Sequence, residues 1–286
     1  MLQLLHTMKY LIVSGGGHGE EESVSEVVIH HLTDHVITSG FIGKINEQFL
    51  NTKLFGIFDM RITRWVIMMW IVSILCMLIF IPLAKKIKKE KNGSKSKWIN
   101  LWEVLIGFIH DDIVETNFDA HYVKKAMPYM CSIFFFILFC NLLGLVPGMS
   151  TATGNLAVTG GLAAFTLIGM IGVGMIKQGP LWIFTGIVPK GIPFFLFPLM
   201  WVIELLGLFI KPFALTIRLF ANMTAGHVVV IIFLFISIMF HSLLVGIGSV
   251  TGALMIYLLE LLVSFIQAYI FTSLSAMFIG QSMHAH

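Results

Sequence analysis

The chain has 286 residues, of which 57% are hydrophobic and only 12% charged, with a mean hydropathy of +0.92 and a formal net charge of +3. Soluble globular domains are about a quarter charged. The composition therefore excludes an ordinary soluble domain and predicts an integral membrane protein, with no nucleic-acid partner.

Charge is spread very unevenly. Of 33 Asp, Glu, Lys and Arg residues, only six follow Lys125: Lys177, Lys190, Glu204, Lys211, Arg218 and Glu260. Lys177 and Lys190 flank a Gly/Pro loop that can reach water. The other four sit in long apolar stretches, where each charge costs roughly 2.5–3.5 kcal/mol on insertion scales and asks for a reason. The three cysteines, Cys76, Cys131 and Cys140, lie in apolar segments without metal or redox spacing, so they read as packing residues.

Residues 1–60 read as a polar tail with a short helix. The run Tyr10–Val13 is too short for the apolar core of a signal peptide. His30, His31, Asp34 and His35 read as a solvated helix face rather than a metal centre, because no second ligand group follows at useful spacing. A membrane domain is expected over 61–286. Residues 65–83 are free of charge and fit one span. The lysine-rich segment 85–97 beside that span marks the inner side, which leaves the N-terminus outside. Residues 98–125 carry Leu101, Val104, Leu105, Phe108, Ile109 and Ile113 at helical spacing, with Glu103, Asp111, Asp112, Glu115 and Asp119 between. That pattern predicts an amphipathic helix on the inner surface. Further spans are predicted at 127–147 and 156–176.

Two segments follow that are too long for ordinary spans, 192–240 and 243–283. A helix of 40-odd residues is about 60 Å long, twice the hydrocarbon thickness. A steeply tilted helical hairpin is predicted, with its turn near His241 and the glycines 246, 248 and 252. The expected fold is thus an all-α integral membrane protein: three ordinary spans, one amphipathic surface helix and a long tilted C-terminal hairpin.

On the first long helix Glu204, Lys211 and Arg218 are seven apart and Asn222 follows by four, which places all four near one face. Pro212 should kink that helix or loosen a turn. Ala221, Ala225 and Gly226 are small enough to let another helix approach. On the second, Glu260, Ser264 and Gln267 share a face. His227 is about half a turn out of phase with Arg218 and can meet the second helix. Intramembrane ionisable groups usually line a water or ion path. His and Glu exchange protons when their environments shift them, whereas Arg stays a fixed cation.

The run Lys211-Pro212-Phe213-Ala214-Leu215-Thr216-Ile217-Arg218-Leu219-Phe220-Ala221-Asn222-Met223-Thr224-Ala225-Gly226-His227 closely resembles the signature of the ATP synthase subunit a family. Glu260 through Tyr269, with Gln267, resembles the matching stretch of that family's last helix. The likeness implies a stator subunit whose tilted hairpin lies against a rotating ring of c subunits, with peripheral-stalk b subunits and the remaining ATP synthase subunits as partners within membrane lipid. It implies two offset half-channels that carry protons to and from ring carboxylates. Arg218 would face the ring carboxylate, Asn222 and Gln267 would lie beside it, His227 and Glu260 would line the inlet, and Glu204 the outlet. Lys211 belongs to the same signature. Many bacterial relatives have Glu where this chain has His227 and His where it has Glu260, an exchange that suggests proximity. Asn155 stands where relatives often have Asp.

The competing reading is a secondary transporter or channel with its own ion site, which would show internal repeats or paired broken helices; the sequence has no repeat. An intramembrane metalloprotease would need a motif such as H-E-x-x-H. Without G-x-x-x-x-G-K-[ST], nucleotide chemistry falls to partner subunits. No cofactor or metal is expected. The expected location is the inner (plasma) membrane of a bacterium, with the mitochondrial inner membrane as alternative.

Overall fold

A computed structural model describes residues 53–54, 58–59, 63–89, 97–146, 152–179, 195–239 and 243–283. The expectations for the tail, including His30, His31 and His35, and for most of the lysine-rich segment lie outside the described residues. Two strands of two residues, β1 (Lys53–Leu54) and β2 (Phe58–Asp59), pair antiparallel ahead of the first span. Among the described residues, all other regular structure is helical: α1 (Arg64–Lys89), α2 (Lys97–Phe108), a π-helical turn (Ile109–Glu115), α3 (Ala120–Gly144), a 3-10 turn (Ala152–Gly154), α4 (Leu156–Gln178), α5 (Phe197–Met239) and α6 (Leu243–Met283). Five of these, α1, α3, α4, α5 and α6, are long and apolar enough to cross a membrane. The protein is an all-α integral membrane protein.

Two details depart from the sequence expectation, the boundary between the surface helix and α3 and the place of three glycines. The surface helix does not run to residue 125. It ends near Asn117, and the next helix starts at Ala120 rather than at 127. The break is local: Phe118 N–H still bonds Val114 O, but Tyr122 and Val123 N–H both turn to Asp119 O and begin a new helix. Pro128 lies inside α3, and Ser132 Oγ donates to its carbonyl at 2.7 Å. Pro212 lies inside α5, as the sequence expectation has it, and Thr216 Oγ1 donates to the Pro212 carbonyl at 3.0 Å. The glycines 246, 248 and 252 belong to α6 itself rather than to the turn before it.

The chain divides into two compact units. One comprises residues up to Ile74, Phe139–Asn155 and Asn222–Ser264; the other comprises Leu75–Leu138, Leu156–Ala221 and Phe265 onward. In the first unit the two long helices pack antiparallel. Ser249 Oγ donates to Phe233 O, and a methyl on Gly252 would stand 2.6 Å from the Phe233 ring, so only glycine leaves room there. In the second unit a surface helix is tied to the spans by rings. Phe80, Trp102 and Phe135 meet at centroid distances of 4.6–5.6 Å, and Phe108 meets Tyr269 at 5.4 Å. Ile109, Ile113 and Val114 are fully buried, so the π-helical turn presents its apolar side to the protein and leaves Asp111, Asp112 and Glu115 exposed.

Candidate functional site

In the second unit, Arg218 is exposed on α5 amid an apolar face. Ala214, Arg218 and Ala221 follow one another at helical spacing, and all three are exposed. Phe213 and Ile217 beside them are exposed as well. Among the described residues, no hydrogen bond or ion pair holds the guanidinium. A heptad spacing on a straight helix drifts by about 20°. Over the one heptad from Lys211 to Arg218 the polar stripe therefore stays close to one face. The long Lys211 side chain nevertheless reaches α6: its Nζ sits 5.3 Å from the Phe278 ring centroid and donates to Gln281 Oε1 at 3.4 Å. Glu204 is half-buried.

The pairing of Lys211 with Phe278 sets the level of the two helices. Counting equal rise along both antiparallel helices, Arg218 comes level with Phe271, about one turn from Gln267. Gln267 is 4% exposed, and its Nε2 has no hydrogen-bond partner among the described residues. A buried amide donor normally has a protein or water partner. Nearby in α6, Ser275 Oγ and Thr166 Oγ1 lie 3.0 Å apart and join α6 to α4.

The first unit holds Asn222, His227 and Glu260. Asn222 is half-buried, and the His227 side chain lies outside the described residues. Glu260 is 5% exposed and its carboxyl rests on Gly226: a methyl there would stand 2.6 Å from Glu260 Oε1. The helix expected to approach at Gly226 is α6 of this chain, whose Glu260 fills the gap. Ala225, in contrast, is exposed. Because Gly226 precedes His227, the backbone of the imidazole's neighbour touches the carboxyl.

The sequence reading missed Asn141. It is fully buried in α3, accepts a hydrogen bond from Thr153 Oγ1 at 2.8 Å, and donates from Nδ2 to Ser264 O at 3.3 Å. Ser264 Oγ in turn donates to Glu260 O at 2.8 Å. One side chain thus ties the 3-10 turn before Asn155 to the helical turn that carries Glu260. Tyr257 adds a second tie, its hydroxyl donating to Leu145 O. The only sequence signal was a lone Asn in the apolar run Phe134–Leu143.

Separately, the π-helical turn brings ligand atoms of His110, Asp111 and Glu115 within 4.8 Å of one another. His110 Nδ1 is 2.8 Å from Asp111 Oδ1, and both carboxylates are exposed. These are the described groups closest to an ion-holding arrangement, and they belong to the surface helix rather than to the polar stripe.

A family model described as "ATP synthase A chain" matches residues 66–280. A protein named "ATP synthase subunit a" from Chloroherpeton thalassium is 46% identical over 233 residues, covering 80% of this chain and 68% of that protein. Another of that name from Chlorobium phaeobacteroides is 41% identical over 266 residues, covering 92% and 76%. "ATP synthase subunit a 2" from Prosthecochloris aestuarii is 42% identical over 267 residues, covering 93% and 80%.

Proposed function

Because this chain belongs to the ATP synthase A chain family, and so is a proton-translocating stator subunit of the synthase membrane sector, we propose that Arg218 is the fixed cation about which its proton transport turns. The observation that carries this reading is the exposed guanidinium on an apolar face of α5, unpaired within the described chain. A charge at membrane depth is costly without a partner. The missing partner is a carboxylate on another subunit, brought up to the small stripe Ala214–Ala221 by the rotating ring of c subunits. A ring carboxylate arriving protonated releases its proton before it passes the cation, and the ionised group is then stabilised beside it. The same cation repels a proton crossing directly between two offset half-channels.

Gln267, whose buried amide lacks a protein partner among the described residues, and Asn222 sit beside the charge and offer hydrogen bonds to water or to the arriving carboxylate. Glu260 and His227 line the inlet half-channel. The contact of the Glu260 carboxyl with Gly226 supports their proximity. Glu204 lines the outlet, with Lys211 at the same end of α5. The chain binds no nucleotide. The peripheral-stalk b subunits hold it against rotation. The N-terminal tail faces outward and the C-terminus inward across the inner membrane of a bacterium.

The test is Arg218→Ala in the assembled complex, reading ATP synthesis under an imposed gradient and passive proton flux into vesicles. Synthesis is expected to fall about a hundredfold or more, the scale of one lost preorganised charge, while passive flux rises. Arg218→Lys should restrain the leak better but synthesise poorly, because an ammonium lacks the planar fork and can lose its proton when desolvated. Substantial synthesis by an assembled Ala variant refutes the reading.

A further inference from the structure

Away from the proton path, α3 begins and α4 ends on the same side of the second unit, at Ala120 and Gln178. Three polar side chains gather there around one ring. The Lys177 ammonium lies over the Tyr122 ring, 3.8 Å from its centroid, and the Lys125 ammonium is 6.0 Å from the same centroid. The His121 ring meets Tyr122 edge-on at 5.0 Å. Lys124, Lys125 and Lys177 are all exposed, and among the described residues no carboxylate pairs with any of them. One carboxylate, Asp119, stands in this stretch against three ammonium groups.

Two ammonium groups drawn to one phenol ring repel each other. The ring quadrupole attracts each only weakly where water has access. The arrangement is therefore electrostatically incomplete, and an anion reaching both ammonium groups would complete it. Its place in the molecule selects the kind of anion. Both helices cross a membrane, so their ends lie at the level of the lipid headgroups. Tyrosine favours that level because its ring suits the acyl boundary and its hydroxyl the wet side. Basic pockets between membrane helices are suited to acidic headgroups.

We propose that Tyr122, Lys125 and Lys177 form a seat for the phosphate of an anionic phospholipid, with His121 at its edge. Lys177 and Lys125 supply the charge, the Tyr122 ring holds Lys177 in place, and the acyl chains lie along the exposed apolar side chains of α4, Phe165, Ile168 and Ile176. The seat fixes a lipid at one end of α3 and α4 and plays no part in moving protons.

The test uses the full chain purified in detergent, with bound lipid counted by native mass spectrometry. Phosphatidylglycerol and phosphatidylcholine are offered at equal concentration, with millimolar inorganic phosphate as competitor in a parallel arm. The wild type should retain phosphatidylglycerol in preference to phosphatidylcholine. Lys125→Ala and Lys177→Ala should each weaken that retention about fivefold, as expected for one cation near an anionic surface. Lys177→Arg and the distant Lys97→Ala should keep it. Inorganic phosphate should not displace the lipid. Equal retention of the two lipids, or Ala variants that hold phosphatidylglycerol like the wild type, overturns the proposal. Displacement by inorganic phosphate overturns the lipid as its source. Helix content by circular dichroism confirms folding, and where Lys177→Ala does not fold, Lys125→Ala and Lys177→Arg decide.

Discussion

Two stretches of α5 differ sharply in how their polar groups are satisfied. Around Arg218 the helix turns a cation and small or apolar side chains outward, and nothing in the described chain closes over them. Around Gly226 the reverse holds: the buried Glu260 carboxyl rests on the glycine, and Asn141, Thr153 and Ser264 form a chain of buried hydrogen bonds behind it. The first stretch is left open among the described residues, whereas the second is completed within the chain. The contrast teaches that charge alone does not define a site. What matters is which side of the helix the charge faces and who supplies the other half.

That contrast can be broken by experiment. After Arg218→Ala itself, the largest of three further effects is expected from Ala221→Trp, which fills the open stripe without touching the buried network. ATP synthesis by the complex should fall about tenfold or more, because the partner helix can no longer approach closely. The isolated chain should keep its stability to within about 0.5 kcal/mol, as for other exposed substitutions. Should the chain itself unfold, the stripe is not the free surface described above.

Gly226→Ala should act the other way. Its methyl would collide with Glu260, and overpacking of this kind costs about 1–3 kcal/mol. Thermal denaturation of the chain alone should register that loss, and proton flux should slow. Glu260→Asp in the Gly226→Ala background shortens the side chain and should recover part of both. Strict additivity of the two substitutions would show that they do not share the gap.

The smallest of the three effects belongs to Asn141→Leu. It strands Thr153 Oγ1, at a cost of about 1–3 kcal/mol that apolar packing partly offsets, while the Ser264 carbonyl keeps its bond within α6. Thr153→Val in the same background should add little, since its partner has already gone. A full second penalty would mean that the two side chains are satisfied separately.

Much of this was legible in the sequence, for one physical reason. An ionisable residue in an apolar run is conspicuous, so Glu204, Lys211, Arg218 and Glu260 stand out without any structure. The five long apolar helices stand out by length. Asn141 was not legible because it is uncharged and its partner Ser264 lies 123 residues away. A contact of that range leaves no local pattern. The start of α3 was hidden because His121, Lys124 and Lys125 extend a membrane helix with polar residues, which continue the amphipathic pattern before them. Gly226 was legible as room for another helix, but smallness alone does not say that the Glu260 carboxyl occupies the space.

The apolar surroundings of Arg218 carry a mechanical consequence. Phe213, Ile217 and Ala221 offer a passing surface dispersion and hydrophobic contact but no directional bonds. Such contact is nearly the same at every offset, so a partner sliding along it meets little friction. The guanidinium is then the one feature on this stretch with a preferred position. If the ring passes here as proposed, the guanidinium would act as the pawl on an otherwise smooth bearing, giving each step a defined stop while the rest of the face lets the load move on.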